Sequence, residues 1–410
     1  MQQWHILVIP MLLWTASLKA ALPEGDGGSI SFSQAREIIL SQNAGLKSAS
    51  TETEAAKAGV SLAGVLPNPG VGIALDNFGA NEIEVSVEQT IELGGKRRLR
   101  AEAAQKDVDL AENNYTLAQL ELEAEIVRRF VPIFAVAKKL SLIDSIIAIT
   151  LATKEQIQSR VNAGAAKKTD LIRAEIDIEQ LSLERSELVR ENKQARKKFA
   201  SLGGEQEFAL LNVSGAVSEE VEIPSLDALR NVLESNPQFT AVDIEQARLA
   251  TRQKQLRAEV APDLNLSAGY LRNNADNSHS PLVGVSMNIP LFNNNSAAQK
   301  QIKLQGQAIG ERRKNTLRLL DAEIQDLHSR LLEIDKKIAA LRTSAIPKAE
   351  QVYLMMQEYY SAGSAGFLDL AAAQTEMLNV RMALLDIQTE RAQKLADLMQ
   401  TTSLNIQIVK

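Results

Sequence analysis

Ile83-Glu84-Val85-Ser86-Val87-Glu88-Gln89-Thr90-Ile91-Glu92-Leu93 is the stretch from which the rest of the chain is read. Its odd positions are apolar except Gln89, and its even positions are Glu84, Ser86, Glu88, Thr90 and Glu92. A period of two predicts a β-strand with one apolar and one polar face. Three other runs repeat the pattern. Val71, Ile73 and Leu75 alternate with Gly72, Ala74 and Asp76. Leu264, Leu266, Ala268 and Tyr270 alternate with Asn265, Ser267 and Gly269. Val283, Val285, Met287, Ile289 and Leu291 alternate with Gly284, Ser286 and Asn288. These lengths approach the roughly 9–11 residues of a tilted transmembrane strand. A soluble four-stranded sheet packed on helices would alternate as well. The polar face, built of small residues, amides and the glutamates Glu84, Glu88 and Glu92, suits a water-filled lumen instead. Four strands cannot close a barrel, and open edges in lipid leave backbone groups unpaired. Several copies must therefore share one. The tips Asn77–Asn81 and Asn273–Ser280 are polar, and Phe78, Tyr270 and Phe292 near the strand ends fit interfacial anchors.

The strands sit inside a duplication. Leu40-Ser41-Gln42-Asn43 is echoed 193 residues later by Leu233-Glu234-Ser235-Asn236. Ile91-Glu92-Leu93 has a counterpart in Ile289-Pro290-Leu291, and Ala163-Gly164-Ala165-Ala166 one in Ala362-Gly363-Ser364-Ala365, with Asp170 and Asp369 six residues past each glycine. Matches in the same order at nearly constant offset predict two structural repeats, 31–203 and 225–403. In each, a helical segment (31–66, broken near Asn43; 225–260) leads to two strands (about 70–76 and 83–93; about 263–271 and 282–291). A very long helix follows (95–162; 297–362), then a glycine break and a returning helix (167–203; 367–403). At 1.5 Å per residue the long helices measure roughly 100 Å and the others roughly 55 Å. A needle-like bundle with the strands at one end fits those lengths and a globule does not. Kinks are expected at Pro132 and Pro347. Residues 204–224, with Gly203, Gly204 and Gly215 in or beside them, read as a linker crossing the outside of the bundle, and 404–410 as a tail.

Composition narrows the function. The chain has 410 residues, 45% hydrophobic but only 4% aromatic, which favours long helices over a compact α/β enzyme. A net charge of −6 gives no nucleic-acid signature. Without cysteine there is no disulfide, thiol nucleophile or lipid-anchored N-terminal Cys. Ile6–Trp14 is a short apolar run, and Leu18-Lys19-Ala20 precedes a cut at Ala21, so 1–20 read as a signal peptide and 21–30 as a tail. The three histidines, His5, His279 and His328, form no metal-ligand spacing, and no phosphate-binding glycine loop is present. The expectation is a protein without catalytic residues, metal site or cofactor.

After the second strand comes Glu92-Leu93-Gly94-Gly95-Lys96-Arg97-Arg98-Leu99-Arg100, with four cations in five residues. Cations oppose the dipole at a helix start, whereas at the inner membrane face Lys96, Arg97, Arg98 and Arg100 would meet lipid phosphates. Gln89-x-Ile91-Glu92-Leu93-Gly94-Gly95-Lys96-Arg97, Ile346-Pro347-Lys348-Ala349-Glu350 and Tyr360-x-x-Gly363-x-x-x-Phe367-Leu368-Asp369-Leu370 together resemble the outer-membrane efflux protein family, the TolC type. The likeness spans about 30–405, and Leu-Gly-Gly-Lys-Arg looks most like the heavy-metal branch, of the cobalt–zinc–cadmium resistance type.

That resemblance implies a mostly α fold with a membrane β-barrel: a homotrimer in the outer membrane whose four strands per subunit make a twelve-stranded barrel, continued by a long α-helical barrel. It implies a passive exit duct for heavy-metal cations delivered by a periplasmic adaptor and an inner-membrane pump of the resistance–nodulation–division class, the pump supplying the energy and choosing most of the cargo. The turns at Gly164 and Gly363, with Asp170 and Asp369, would then form the periplasmic entrance and adaptor contact, and the family's acidic residues at the place matching Asp369 narrow the pore. Some members carry a second Asp where this chain has Ala372. Asp369 also suits a plain helix cap. The alternative to a channel is a soluble periplasmic coiled-coil scaffold or adaptor without a pore.

Overall fold

A computed structural model describes residues 29–76, 78, 81–204, 212–218, 221–274, 276–290, 295–404 and 406–409. The expected signal peptide, residues 21–28, Leu291, Phe292, and parts of the strand tips and linker lie outside the described residues.

Asn43 and Asn236, which end the duplicated Leu-x-x-Asn runs, do the same work in both repeats. Asn43 separates α1 (Phe32–Gln42) from α2 (Ala44–Ala63). Its Oδ1 accepts the Leu46 N–H at 3.0 Å and its Nδ2 donates to the Leu202 carbonyl at 2.9 Å. Asn236 precedes α6 (Pro237–Ala258), accepts the Gln238 N–H at 2.7 Å, and donates to the Thr401 carbonyl. An amide side chain supplies both acceptor and donor. Each asparagine therefore caps a new helix and ties it to the far end of the returning one. Pro237 follows at the first helical position, where a missing N–H costs nothing.

Between these anchors the order is β1 (Ser29–Ser31), α1, α2, β2 (Gly70–Asp76), β3 (Glu82–Ile91), α3 (Lys96–Asn162), α4 (Lys168–Ala200), β4 (Asn212–Ser214), α5 (Leu226–Asn231), α6, β5 (Leu264–Asn273), β6 (Ser278–Met287), α7 (Ser296–Ala340), α8 (Ile346–Ser361) and α9 (Phe367–Thr402). The 67-residue α3 is the spine, packed against α2, α4, α6 and α9. It runs unbroken through Pro132. Before Pro347 the helix widens into a π turn, Leu341–Ala345, which accommodates the missing N–H without ending the rod.

Two cores are stacked along α3. One gathers Ile39, Ile126, Phe130, Phe199, Leu229, Phe239, Ile324, Leu331, Leu395 and Leu398, with Phe130 between Phe32 (4.7 Å) and Phe199 (5.9 Å). The other, nearer the glycine turns, contains Ile143, Ile146, Ile157, Ala174, Tyr353, Tyr360, Phe367 and Leu370. The linker contributes more than the sequence suggests. β4 pairs in parallel with β1, Val217 bridges to Val409, and buried Arg391 holds both Asp335 and the Val221 carbonyl (2.7 Å). Short polar runs such as Asn212-Val213-Ser214 carry no periodicity, so this belt was not legible in the sequence.

The other sheet is four antiparallel strands in the order β2-β3-β5-β6. The repeats meet at its centre, where β3 pairs with β5 from Ile91↔Leu264 to Glu82↔Asn273. β5 and β6 run further toward the tip than their polar ends suggested, because pairing with a neighbour outweighs intrinsic preference. Not one residue of these strands is buried.

Candidate functional site

Directly opposite residues in an antiparallel pair share a face, so the register sorts the whole sheet. Val71, Val87, Ala268 and Val283 form one row; Ile73, Val85, Tyr270 and Pro281 the next; Gln89, Leu266 and Val285, then Ile91, Leu264 and Met287, lie below. This face is apolar and open: Val71 is 73% exposed and Val283 85%. Such a continuous stripe requires an apolar medium. The opposite face carries Glu84 beside Ala74 and Leu271, Glu88 beside Gly70 and Ser267, and the cross-strand bond from Thr90 Oγ1 to Asn265 Oδ1 (2.8 Å). It is the crowded side. A Cβ on Gly284 would lie 2.5 Å from Ser267 Oγ, and one on Gly269 would lie 2.9 Å from the Val85 carbonyl oxygen.

Glu92 lies beyond the last residue of β3, and Arg100 grips both its carboxylate oxygens, the second at 2.8 Å. The structure thus brings Glu84 and Glu88 together on the strand and sets Glu92 in the joint between strand and helix. Three of the four cations of the basic run also have protein partners there. Lys96 meets Asp263 at 2.7 Å, and Asp263 further accepts the Leu93 N–H at 3.2 Å. Arg97 donates to the Gly64 carbonyl, and Arg100 to those of Ala63 and Val65. The end of α2 has bare carbonyls and a negative dipole end, which cations favour. That contact offsets the unfavourable placement of the same cations at the start of α3. Arg98 alone points outward, its side chain 76% exposed and 3.5 Å from Glu102.

At the other end the two hairpins turn alike. Gly164 (φ 73°) and Gly363 (φ 76°) are left-handed, a conformation that side chains with a Cβ resist. Ala165 N–H reaches the Arg160 carbonyl at 2.8 Å, and Ser364 N–H reaches that of Tyr359 at 2.9 Å, the same six-to-one closure twice. Arg160 joins the hairpins: its Nη1 donates to the Tyr360 carbonyl at 3.2 Å and its guanidinium lies 5.4 Å from the Tyr360 ring centre. Burial pushes the Tyr360 hydroxyl pKa up; Arg160 opposes this and Asp170 reinforces it, which places Asp170 within electrostatic reach of the junction. Asp369, exposed in the first turn of α9, accepts the Gly366 N–H at 3.0 Å through Oδ2. In the single chain it therefore serves as a helix cap.

Among the described residues no helix is long and apolar enough to cross a membrane, and no three His, Cys, Asp or Glu side chains form a metal cluster. Residues 35–205 and 228–403 each match the outer membrane efflux protein family. The chain is similar to the cobalt-zinc-cadmium resistance protein CzcC of Cupriavidus metallidurans, 24% identical over 379 residues that cover 90% of this chain and 89% of that one. It is also similar to the nickel and cobalt resistance protein CnrC of the same organism, 25% identical over 239 residues, 56% of either chain. The outer membrane protein VceC from Vibrio cholerae shares the fold, with a TM-score of 0.72 at 18% identity over 90% of this chain and 95% of that one. An apolar-faced sheet at one end of a duplicated helical needle is thus explained: the chain belongs to the outer membrane efflux protein family and is the outer-membrane channel of a TolC-type tripartite efflux system, a transport duct and not an enzyme.

Proposed function

We propose that three copies of this chain close one twelve-stranded barrel and stack their helices into one tube. This tube is the exit duct for divalent heavy-metal cations delivered by a periplasmic adaptor and an inner-membrane pump of the resistance–nodulation–division class. The observation that carries the shared barrel is the free outer edge of both β2 and β6 in a sheet without a buried residue. In lipid each unpaired backbone group costs several kcal/mol, and a neighbour's β2 against β6 removes both edges. The likeness to cobalt, zinc, cadmium and nickel resistance proteins supports a metal cargo. Glu84 and Glu88, repeated threefold, would form carboxylate rings that raise the local cation concentration. Glu92 adds little net charge there, because Arg100 neutralises it. The hairpins at Gly164 and Gly363, with Asp170 and Asp369, form the inner entrance and adaptor contact. In the basic run, Arg98 is the side chain with freedom to reach lipid phosphate, while Lys96, Arg97 and Arg100 fasten the joint.

The test has two arms. In mild detergent the mature protein should run as a heat-sensitive trimer, and a monodisperse monomer with intact β-signal refutes the shared barrel. Deleting the gene should sensitise cells to cobalt, zinc, cadmium or nickel. Unchanged metal tolerance, with increased sensitivity to dyes or antibiotics, refutes the cargo but leaves the channel standing.

A further inference from the structure

The apolar face of the sheet carries one charged row, at its outer end. Leu75, Ile83, Arg272 and His279 lie side by side across the four strands. Arg272 and His279 are direct cross-strand partners, and the His279 ring stacks on Tyr270 one row below, with centroids 5.7 Å apart and planes 22° apart. Among the described residues no carboxylate pairs with Arg272. The acid nearest in the turn, Asp276, instead accepts the Ser278 N–H at 3.0 Å. Glu82, on the opposite face, is held by Asn273 at 2.9 Å.

The height of this row on the sheet says what it meets. The apolar stripe begins at exposed Leu93 and Ile289, just below the strands, and ends at the row of Arg272. Ten residues at about 3.3 Å each, tilted by about 40°, rise about 25 Å, the height of the apolar band on an outer-membrane barrel. Arg272 and His279 therefore stand at the outer rim, level with the headgroups, and Tyr270 takes the aromatic-belt position beneath them. An unpaired guanidinium facing hydrocarbon is unfavourable, whereas facing a phosphate at the rim it makes charge-assisted, bidentate hydrogen bonds.

We infer that Arg272 and His279, seated on Tyr270, bind the phosphate of an outer-leaflet lipid, one site per subunit. Arg272 supplies the paired N–H donors, His279 a ring N–H from the adjacent strand, and the Tyr270–Val283 region below receives the acyl chains. The assignment rests on the outer-membrane location of the sheet and not on the number of copies.

The full-length protein in nanodiscs tests it by native mass spectrometry. The discs contain phosphatidylcholine doped with either a bisphosphorylated acylated glucosamine disaccharide or the same lipid without phosphate. The phosphorylated lipid should be retained preferentially, and Arg272→Gln with His279→Gln should weaken retention about tenfold, as expected for losing a hydrogen-bonded charge. Arg272→Lys should restore part of it, and all variants should keep their heat-sensitive oligomer. Equal retention of the two lipids, or unchanged retention in the double variant, overturns the assignment. Displacement by millimolar inorganic phosphate alone overturns the lipid in favour of a free-anion site.

Discussion

Replacing Asn236 by Ala removes two interactions at a site that is 1% exposed. The lost cap over Gln238 costs about 1 kcal/mol. The Thr401 carbonyl, deprived of its donor away from water, costs about 1–3 kcal/mol more. Together the loss is about 2–4 kcal/mol. Asn43→Ala removes the equivalent pair, but Asn43 is only half-buried, so water recovers much of the Leu202 carbonyl and the loss is about 1–2 kcal/mol. The measurement is guanidinium unfolding followed by helical circular dichroism, at fixed protomer concentration because association shifts apparent stability. Asn236→Asp keeps the cap acceptor but sets a carboxylate oxygen against the buried Thr401 carbonyl, and should lose at least as much as Asn236→Ala. Equal losses at the two positions, or a loss under about 1 kcal/mol at Asn236, would refute the reasoning that burial of the tether sets its worth.

Glu84→Gln with Glu88→Gln should lower cation-over-anion selectivity in planar bilayers, and an unchanged reversal potential removes the proposed carboxylate rings. Asp369→Asn keeps an oxygen acceptor for the Gly366 N–H while removing the charge, so the entrance role expects altered conductance or cation block with stability nearly constant; lost stability at constant conductance leaves only the cap. Gly363→Ala, forced left-handed, should destabilise the second hairpin by roughly 1–2 kcal/mol, seen as faster proteolysis at the tip. Burial raises the Glu125 pKa, but Arg129 and Arg128 more than offset this and hold it below the ordinary 4.5. The unfolded chain therefore binds the extra proton, so this stabilisation is complete above about pH 4.5 and is lost as pH falls through the lower folded value. Arg129→Gln should flatten the acid side of the stability profile.

The helices, the strands and their faces were legible because each follows a simple period, and the duplication supplied each assignment with a second copy. Gly164 and Gly363 were legible because a sharp return between helices asks for a left-handed residue. The basic run was harder. Lys96, Arg97 and Arg100 look like an outward-facing charge patch in one dimension, but their partners Asp263, Gly64, Ala63 and Val65 lie far off in sequence or are backbone carbonyls that carry no sequence signal. Glu92 continues the strand alternation by residue type, and only the position of Arg100, eight residues on and one turn into α3, shows that it belongs to the joint. The β1–β4 pairing, and the hold of Arg391 on the Val221 carbonyl, arise from tertiary proximity alone.

Among the described residues, what this chain buries lies in the helical body and the small β1–β4 pair packed on it, while β2, β3, β5 and β6 bury nothing in the single chain. The two halves therefore reach completion at different moments. After secretion the helical needle has what it needs to fold in the aqueous periplasm, but the hairpins remain sticky ribbons with two open edges. Their completion waits on encounter, so barrel closure depends on protein concentration where helix folding does not. A subunit stalled in that interval would be the form most prone to aggregate and most in need of a chaperone, and crowding at the assembly site would govern how long the interval lasts.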